Sequence, residues 1–225
     1  MKNKVMYLLV VIFLTIILFP TEFVFATFPN TSDFDEPKIV IITPCSRPQN
    51  LEKIKESIDL SKIKRWYISY DCQDNKMEYK QRYPNEPKIK EIKCTTKSMS
   101  GNGPRNEALD EIVKNETGDR LIYFLDDDTT LHPEMLKKDF KTDTVYTWDM
   151  VRNGAPYIGN NPAVGFIDTG HALIDMNIIG ETRWRDTYDA DGVFITYIIN
   201  NNKDKWVYIP ETLAIYNNLN PRVPK

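Results

Sequence analysis

Between residues 38 and 125 the apolar positions form short unbroken runs that alternate with longer periodic ones. KIVIITP (38–44) is a β-branched run of strand length closed by Pro44, the pattern of a strand buried on both faces. NLEKIKESIDLSKI (50–63) places Leu51, Ile54, Ile58 and Ile63 at roughly helical spacing, and RWYISYD (65–71) makes a second strand ending on Asp71. PKIKEIKC (87–94) predicts a short third strand and SMSGNGPRN (98–106) a glycine-bearing loop. NEALDEIVKNETG (106–118) predicts an amphipathic helix with Gly118 at C′, and RLIYFL (120–125) a fourth strand. Strands alternating with helices predict an α/β protein, a mostly parallel central sheet flanked by helices. Ligands in such sheets sit beyond the carboxyl ends of the strands.

The N-terminus follows a different pattern. Lys2 and Lys4 precede an apolar run from Val5 to Phe19, then Pro20, Glu22 and a small-residue ending at Ala26. Residues 1–26 therefore read as a cleavable signal peptide, with a retained signal anchor as the close alternative. Either sends the chain into the secretory route, lumenal, membrane-anchored or exported. Residues 27–36 read as a polar linker and 37–225 as one domain. The KWVYIPETLAIYNN stretch (205–218) reads as a closing strand and tail with no assigned chemistry.

Composition narrows the function. At 225 residues and 41% hydrophobic content the chain supports one sizeable core, and a formal charge of −3 argues against a broad basic field for nucleic acid. Cys45, Cys72 and Cys94 lack zinc-knuckle spacing. They leave open one disulfide plus a free thiol, or three unrelated buried residues. Asn30 and Asn115 begin formal glycosylation triplets.

The densest chemistry lies where the fourth strand ends. Asp126, Asp127 and Asp128 follow RLIYFL directly, and three adjacent carboxylates repel one another unless a divalent cation with oxygen ligands relieves them. Strand alternation sends Asp126 and Asp128 to one side, toward an ion and its phosphate, and Asp127 away. The bland competitor is a helix cap at TTLHPEML, which needs only Thr129 or Thr130.

IVIITPCSRPQNL, SYD, GNGPRNEAL and IYFLDDDTTLHPEML, in that order, resemble the nucleotide-binding half of GT-A glycosyltransferases, family 2-like, inverting and DxD-containing. VGFIDTGHALIDMNIIGETRWRDTYDADGVFI is similar to the acceptor half of the inverting members. The resemblance implies that Thr43, Pro44 and Asp71 hold base and ribose, and that Arg47 and Arg105 contact the diphosphate. It implies that Asn106 binds the nucleotide or caps its helix, and it adds Asp127 to the nucleotide-contacting set. Asp126 would approach the ribose or the metal's water shell, and Asp128 would bind Mn²⁺ or Mg²⁺ bridging the two phosphates. Asp191 is the implied base, with Asp189 as understudy, although Ala190 here separates a pair that is usually adjacent. His171 is either a further metal ligand or a structural histidine. Asp168 binds sugar hydroxyls or makes a turn, Gly170 admits close backbone approach to a sugar, and Trp184 stacks on an acceptor sugar or belongs to the core.

The implied activity is metal-dependent inverting transfer of a hexose from a nucleotide sugar, UDP-linked in the first instance, to a glycan or glycoprotein. One competitor is a sugar nucleotidyltransferase, which calls for a basic glycine-rich loop after the first strand; TPCSRPQ holds no glycine. Another is a non-catalytic glycan-binding descendant of the fold.

Overall fold

A computed structural model describes residues 36–72 and 77–220. The signal-peptide or anchor reading, Asn30 and nearly all of the linker lie outside the described residues. Among the described residues, no helix is long and apolar enough to cross a membrane.

β1 (Ile39–Cys45), β2 (Arg65–Asp71), β3 (Ile89–Cys94) and β4 (Leu121–Phe124) form the parallel half of one eight-stranded sheet, in the order β3-β2-β1-β4. β5 (Val145–Arg152), β6 (Ala155–Tyr157), β7 (Ala172–Asp175) and β8 (Trp206–Ile215) complete it. β7 runs antiparallel between β4 and the start of β5, β6 returns antiparallel along the end of β5, and β8 lies parallel to β5.

Every residue of β1 is buried because a strand flanks it on each side and a packed layer covers each face. The pleat divides its side chains between the two layers: Ile39, Ile41 and Cys45 enter one core, Val40 and Ile42 the other. β4 divides likewise, Leu121 and Tyr123 against Ile122 and Phe124. The first layer is covered by α1 (Leu51–Ser57), through Leu51 and Ile54. The second is covered by α2 (Asn102–Asn115), through Ala108, Leu109 and Ile112, and by α4 (Ala190–Asn201), through Phe194, Ile195, Ile198 and Ile199. A short α3 (Met176–Ile179) follows β7. Each fully buried isoleucine contributes about 1.5–3 kcal/mol, so these two layers hold the strand ends in place.

Local expectations shift at three points. The periodic pattern after Leu51 does not stay helical: Ile58 is extended, and Asp59 accepts from the Ser61 backbone N–H and hydroxyl to begin a separate 3-10 turn. Ile58 and Ile63 are nevertheless buried. α2 begins four residues earlier than its apolar spacing predicts, since Gly101 (φ +76°) turns the chain into it and Pro104 falls in the first turn, where no amide donor is needed. Its C-cap is Glu116, so Gly118 (φ +71°) is not the C′ residue and instead turns the chain toward β4. All three cysteines are free thiols.

Candidate active site

The carboxyl ends of β1, β2 and β4 open on a cleft of about 570 Å³. Pro44 and Arg47 come from β1 and the turn after it, Asp71 from the end of β2, and Arg105 from the first turns of α2. Gly101 brings α2 against the end of β1; a Cβ there would lie 2.9 Å from the Pro44 Cβ.

Asp126, Asp127 and Asp128 all line this cleft. β4 stops at Phe124, so strand alternation does not govern them, and the expectation that Asp127 points away is overturned. Asp127 reaches back to the end of β1. Its Oδ2 accepts from the backbone N–H groups of Ser46 and Arg47 at 2.6 Å each and from the Ser46 hydroxyl at 3.0 Å. Its Oδ1 accepts from Arg47 Nε at 2.8 Å. The carboxylate is 2% exposed and filled with donors, so it positions Arg47 rather than offering a free face to a nucleotide.

Arg47 also donates through Nη1 to Asp128 Oδ2 at 2.7 Å. Burial raises the Asp128 carboxyl, Arg47 pulls it down, and Asp126 and Asp127 push it up, leaving it above the ordinary carboxylate value. Arg105, 3% exposed, donates to Asp126 Oδ1 at 2.7 Å and lies 4.8 Å from the centroid of the Trp184 ring. Burial opposes its charge, but Asp126 and then Asp191 outweigh burial and hold its pKa above the ordinary one. Three carboxylates thus meet two guanidiniums, and the cluster keeps a net negative charge.

α4 delivers Asp191 to the same electrostatic neighbourhood. Burial raises its carboxyl to about 7, Arg105 lowers it, and Asp126 and Asp168 add to the rise. Asp189, two residues earlier, is exposed at the N-cap of α4 and makes no side-chain cap hydrogen bond. Asp191 shares the field of Arg105, Asp126 and Asp168.

Four expected contacts are directed elsewhere. Thr43 is fully buried, and its hydroxyl accepts from Trp66 Nε1 at 2.9 Å because the pleat turns it inward. Asn106 neither caps α2 nor faces the cleft; it clamps Trp184, donating to its carbonyl at 2.9 Å and accepting from its N–H at 2.8 Å. Trp184 is a core residue, stacked on Phe194 at 4.5 Å and 12°. His171 is fully buried, its Nδ1 accepting from the Asp168 N–H at 3.0 Å and its Nε2 lying 3.2 Å from the Tyr157 carbonyl. Burial lowers its pKa to about 4, so the neutral ring spends Nδ1 in a capping box with Asp168 and Nε2 on the Tyr157 carbonyl, and has no nitrogen left for a metal.

Asp168 is the other half of that box, accepting from Thr169 Oγ1 at 3.0 Å; burial and then Asp126 raise its carboxyl. An added Cβ on Gly170 would meet Met150 Cε at 3.2 Å, so this glycine makes room for the core.

Several cleft residues were not singled out from sequence. Ser46 carries the Asp127 contacts, and Tyr188, 88% exposed, lines the cleft from the segment before α4. The segment after β8 returns to the aspartates: the Leu219 N–H donates to the Asp128 carbonyl at 2.7 Å and Asn220 Nδ2 to Asp128 Oδ2 at 3.3 Å. Asn217 lines the cleft beside it. The asparagines of YNNLN (216–220) were a polar signal too generic to assign.

Parallel β1–β4 with an antiparallel extension through β7 have the fold of solved GT-A glycosyltransferases. S. aureus TarS, residues 1–349, superposes with a TM-score of 0.57 at 14% identity, over 79% of this chain and 60% of that one. The same protein in complex with UDP-GlcNAc gives 0.56 at 14% identity, over 79% of this chain and 58% of that one. The mannosyltransferase PcManGT from Pyrobaculum calidifontis, in complex with GDP-Man and Mn²⁺, gives 0.53 at 10% identity, over 83% of this chain and 58% of that one. The chain therefore spans about 60% of the length of these structures. No protein-family model matches the sequence, and no curated protein does.

Proposed function

We propose that this chain is a metal-dependent, inverting glycosyltransferase that takes a hexose from a nucleoside diphosphate donor, UDP-linked in the first instance, to a glycan or glycoprotein in the secretory route. The observation that carries the reading is the charge balance of the cleft. Asp126, Asp127 and Asp128 outnumber Arg47 and Arg105, so an anionic diphosphate arriving alone meets a net negative cluster. A divalent cation removes that conflict. Asp126 and Asp128 offer hard oxygen donors suited to Mn²⁺ or Mg²⁺. Among the described residues no group of three His, Cys, Asp or Glu side chains gathers to chelate a metal, so Asp126 and Asp128 would hold the ion only together with ligands from outside the chain.

The residues then divide the work. Pro44 and Asp71 border the base and ribose end, and Arg47, fixed by Asp127, and Arg105, fixed by Asp126, face the diphosphate. Bound metal would neutralise charge that builds on the departing nucleoside diphosphate. Asp191 takes the proton of the acceptor hydroxyl as its oxygen bonds to the anomeric carbon. The carbon–oxygen bond to the phosphate breaks on the opposite face, which inverts the configuration. A pKa near 7 makes Asp191 a base poised at neutral pH.

The test is incubation of the full chain with UDP- and GDP-linked hexoses and Mn²⁺, following nucleotide release and the anomer of the released or transferred sugar by proton NMR. Inverted product from one donor supports the reading. A retained configuration sinks the role of Asp191, and no release from any donor sinks the enzyme reading.

A further inference from the structure

Beyond the donor cleft, the end of β5 carries an exposed cation. Arg152 is the last residue of β5, immediately before the Asn153–Gly154 turn, whose φ values of +53° and +76° give the primed geometry that returns the chain as β6. This hairpin, with β8 alongside, puts an aromatic ring on two sides of Arg152. Its guanidinium carbon lies 5.3 Å from the centroid of Tyr157 and 4.7 Å from that of Tyr216. One side-chain hydrogen bond also joins it to the Tyr157 hydroxyl, and a guanidinium with five N–H donors keeps others for a further partner.

Among the described residues no Asp or Glu forms an ion pair with Arg152. Neighbouring carboxylates are committed: Asp149 accepts from the Gly159 N–H at 3.0 Å and the Tyr208 hydroxyl at 2.7 Å, while Asp168 caps its own turn.

Contacts link this cation to the transfer site on both sides. The Tyr157 hydroxyl donates to the Gly165 carbonyl at 3.5 Å, and the Val164–Gly165 backbone packs on Gly192, where a Cβ would come within 3.0 Å of Val164 Cα. Gly192 follows Asp191 directly. On the other side Tyr216 leads into Asn217, which lines the donor cleft. Arg152 thus stands beside the site, away from the pairs that Arg47 and Arg105 make with the aspartates.

We propose that Arg152, flanked by Tyr157 and Tyr216, is an acceptor-side anion subsite that takes a carboxylate or phosphate carried on the acceptor glycan. The inference rests on the transfer reaction proposed above. An arginine that merely clamps the hairpin is satisfied by the two rings and indifferent to acceptor charge, which separates the two roles experimentally.

The full chain in mild detergent, with UDP and Mn²⁺ present, is titrated with digalacturonate, mannose 6-phosphate and uncharged galactobiose. Wild type, Arg152→Gln and Arg152→Lys are compared, with thermal midpoints verifying that each is folded. The expected result is that at least one anionic probe binds wild type, more weakly as NaCl is raised. Its Kd rises about tenfold in Arg152→Gln and returns to within about threefold of wild type in Arg152→Lys, as loss of one charge-assisted contact requires. The probe that binds identifies carboxylate or phosphate as the group recognised. Binding of neither anion, equal binding by Arg152→Gln, or equal binding of galactobiose overturns the subsite. Nucleotide titrations separate the two failures. UDP or GDP binding with no Arg152-dependent anion binding removes only the subsite. Absence of all nucleotide binding removes the transferase reading, and the anion titration is then judged by the same criterion without nucleotide.

Discussion

The aspartate cluster and the stretch around the start of α4 are built differently. At the aspartate cluster the guanidiniums are already paired: Arg105 is 3% exposed and tied to Asp126, and Asp127 draws four donors from Ser46 and Arg47. Around the start of α4 large residues stand in solvent, Tyr188 at 88%, Phe166 at 57% and Val164 at 43%. A pre-paired donor side needs little reorganisation to receive a diphosphate. The exposed side gains its apolar contacts only when an acceptor arrives, and its tolerance of change should be correspondingly greater.

Asp191, in the first turn of α4 and coupled to Arg105, Asp126 and Asp168, gives the largest expected effect. Asp191→Asn should lower kcat by about 10²–10⁴, as loss of a general base does, while nucleotide affinity measured by calorimetry stays within twofold. Stability should move the other way. The carboxyl titrates near 3.8 when exposed and near 7 in the fold, so wild type loses stability as pH rises between those values, whereas the asparagine variant does not. Thermal midpoints at pH 4 and pH 8 should favour the variant only at the higher pH. Equal pH profiles would mean that burial does not raise the Asp191 carboxyl.

Next in size is Asp127→Ala. It leaves the Ser46 and Arg47 donors without their carboxylate, and each lost buried partner costs about 1–3 kcal/mol. Urea unfolding should show a loss of a few kcal/mol, and UDP affinity should fall about tenfold as Arg47 loses its orientation. A stable variant with unaltered affinity would break the contrast by showing that donor-side pairing is dispensable. Asn106→Ala should cost about 1–2 kcal/mol, through the two bonds to Trp184, without altering nucleotide affinity more than twofold. Tyr188→Ala should be smallest, within about 0.5 kcal/mol in stability, with a change of a few fold in acceptor KM.

The same contrast separates what sequence could reveal from what it could not. β1 and β4 were legible because a strand buried on both faces must be continuously apolar, and their carboxyl ends then named Pro44, Arg47 and Asp126–Asp128 as neighbours. Orientation was less legible. Thr43 turns inward to Trp66, and Asn106 leaves the helix start to hold Trp184 across 78 residues. Alternation failed at the aspartates because it applies only while the strand lasts, and β4 had ended. His171 was ambiguous because one side chain type serves equally as ligand or cap, and only the Asp168 and Tyr157 backbone positions decide it. The Asn153–Gly154 pair, by contrast, is a readable hairpin signal in VRNGAPY.

The central claim is that the aspartate cluster needs a cation before it accepts a nucleotide. Calorimetric titration of UDP, GDP and CMP into the full chain, with Mn²⁺ and with EDTA, for wild type and Asp128→Asn, tests it most directly. The account predicts that one nucleotide binds wild type only with metal, and that the folded variant loses that binding. Equal binding in EDTA, or no nucleotide bound under either condition, would contradict it.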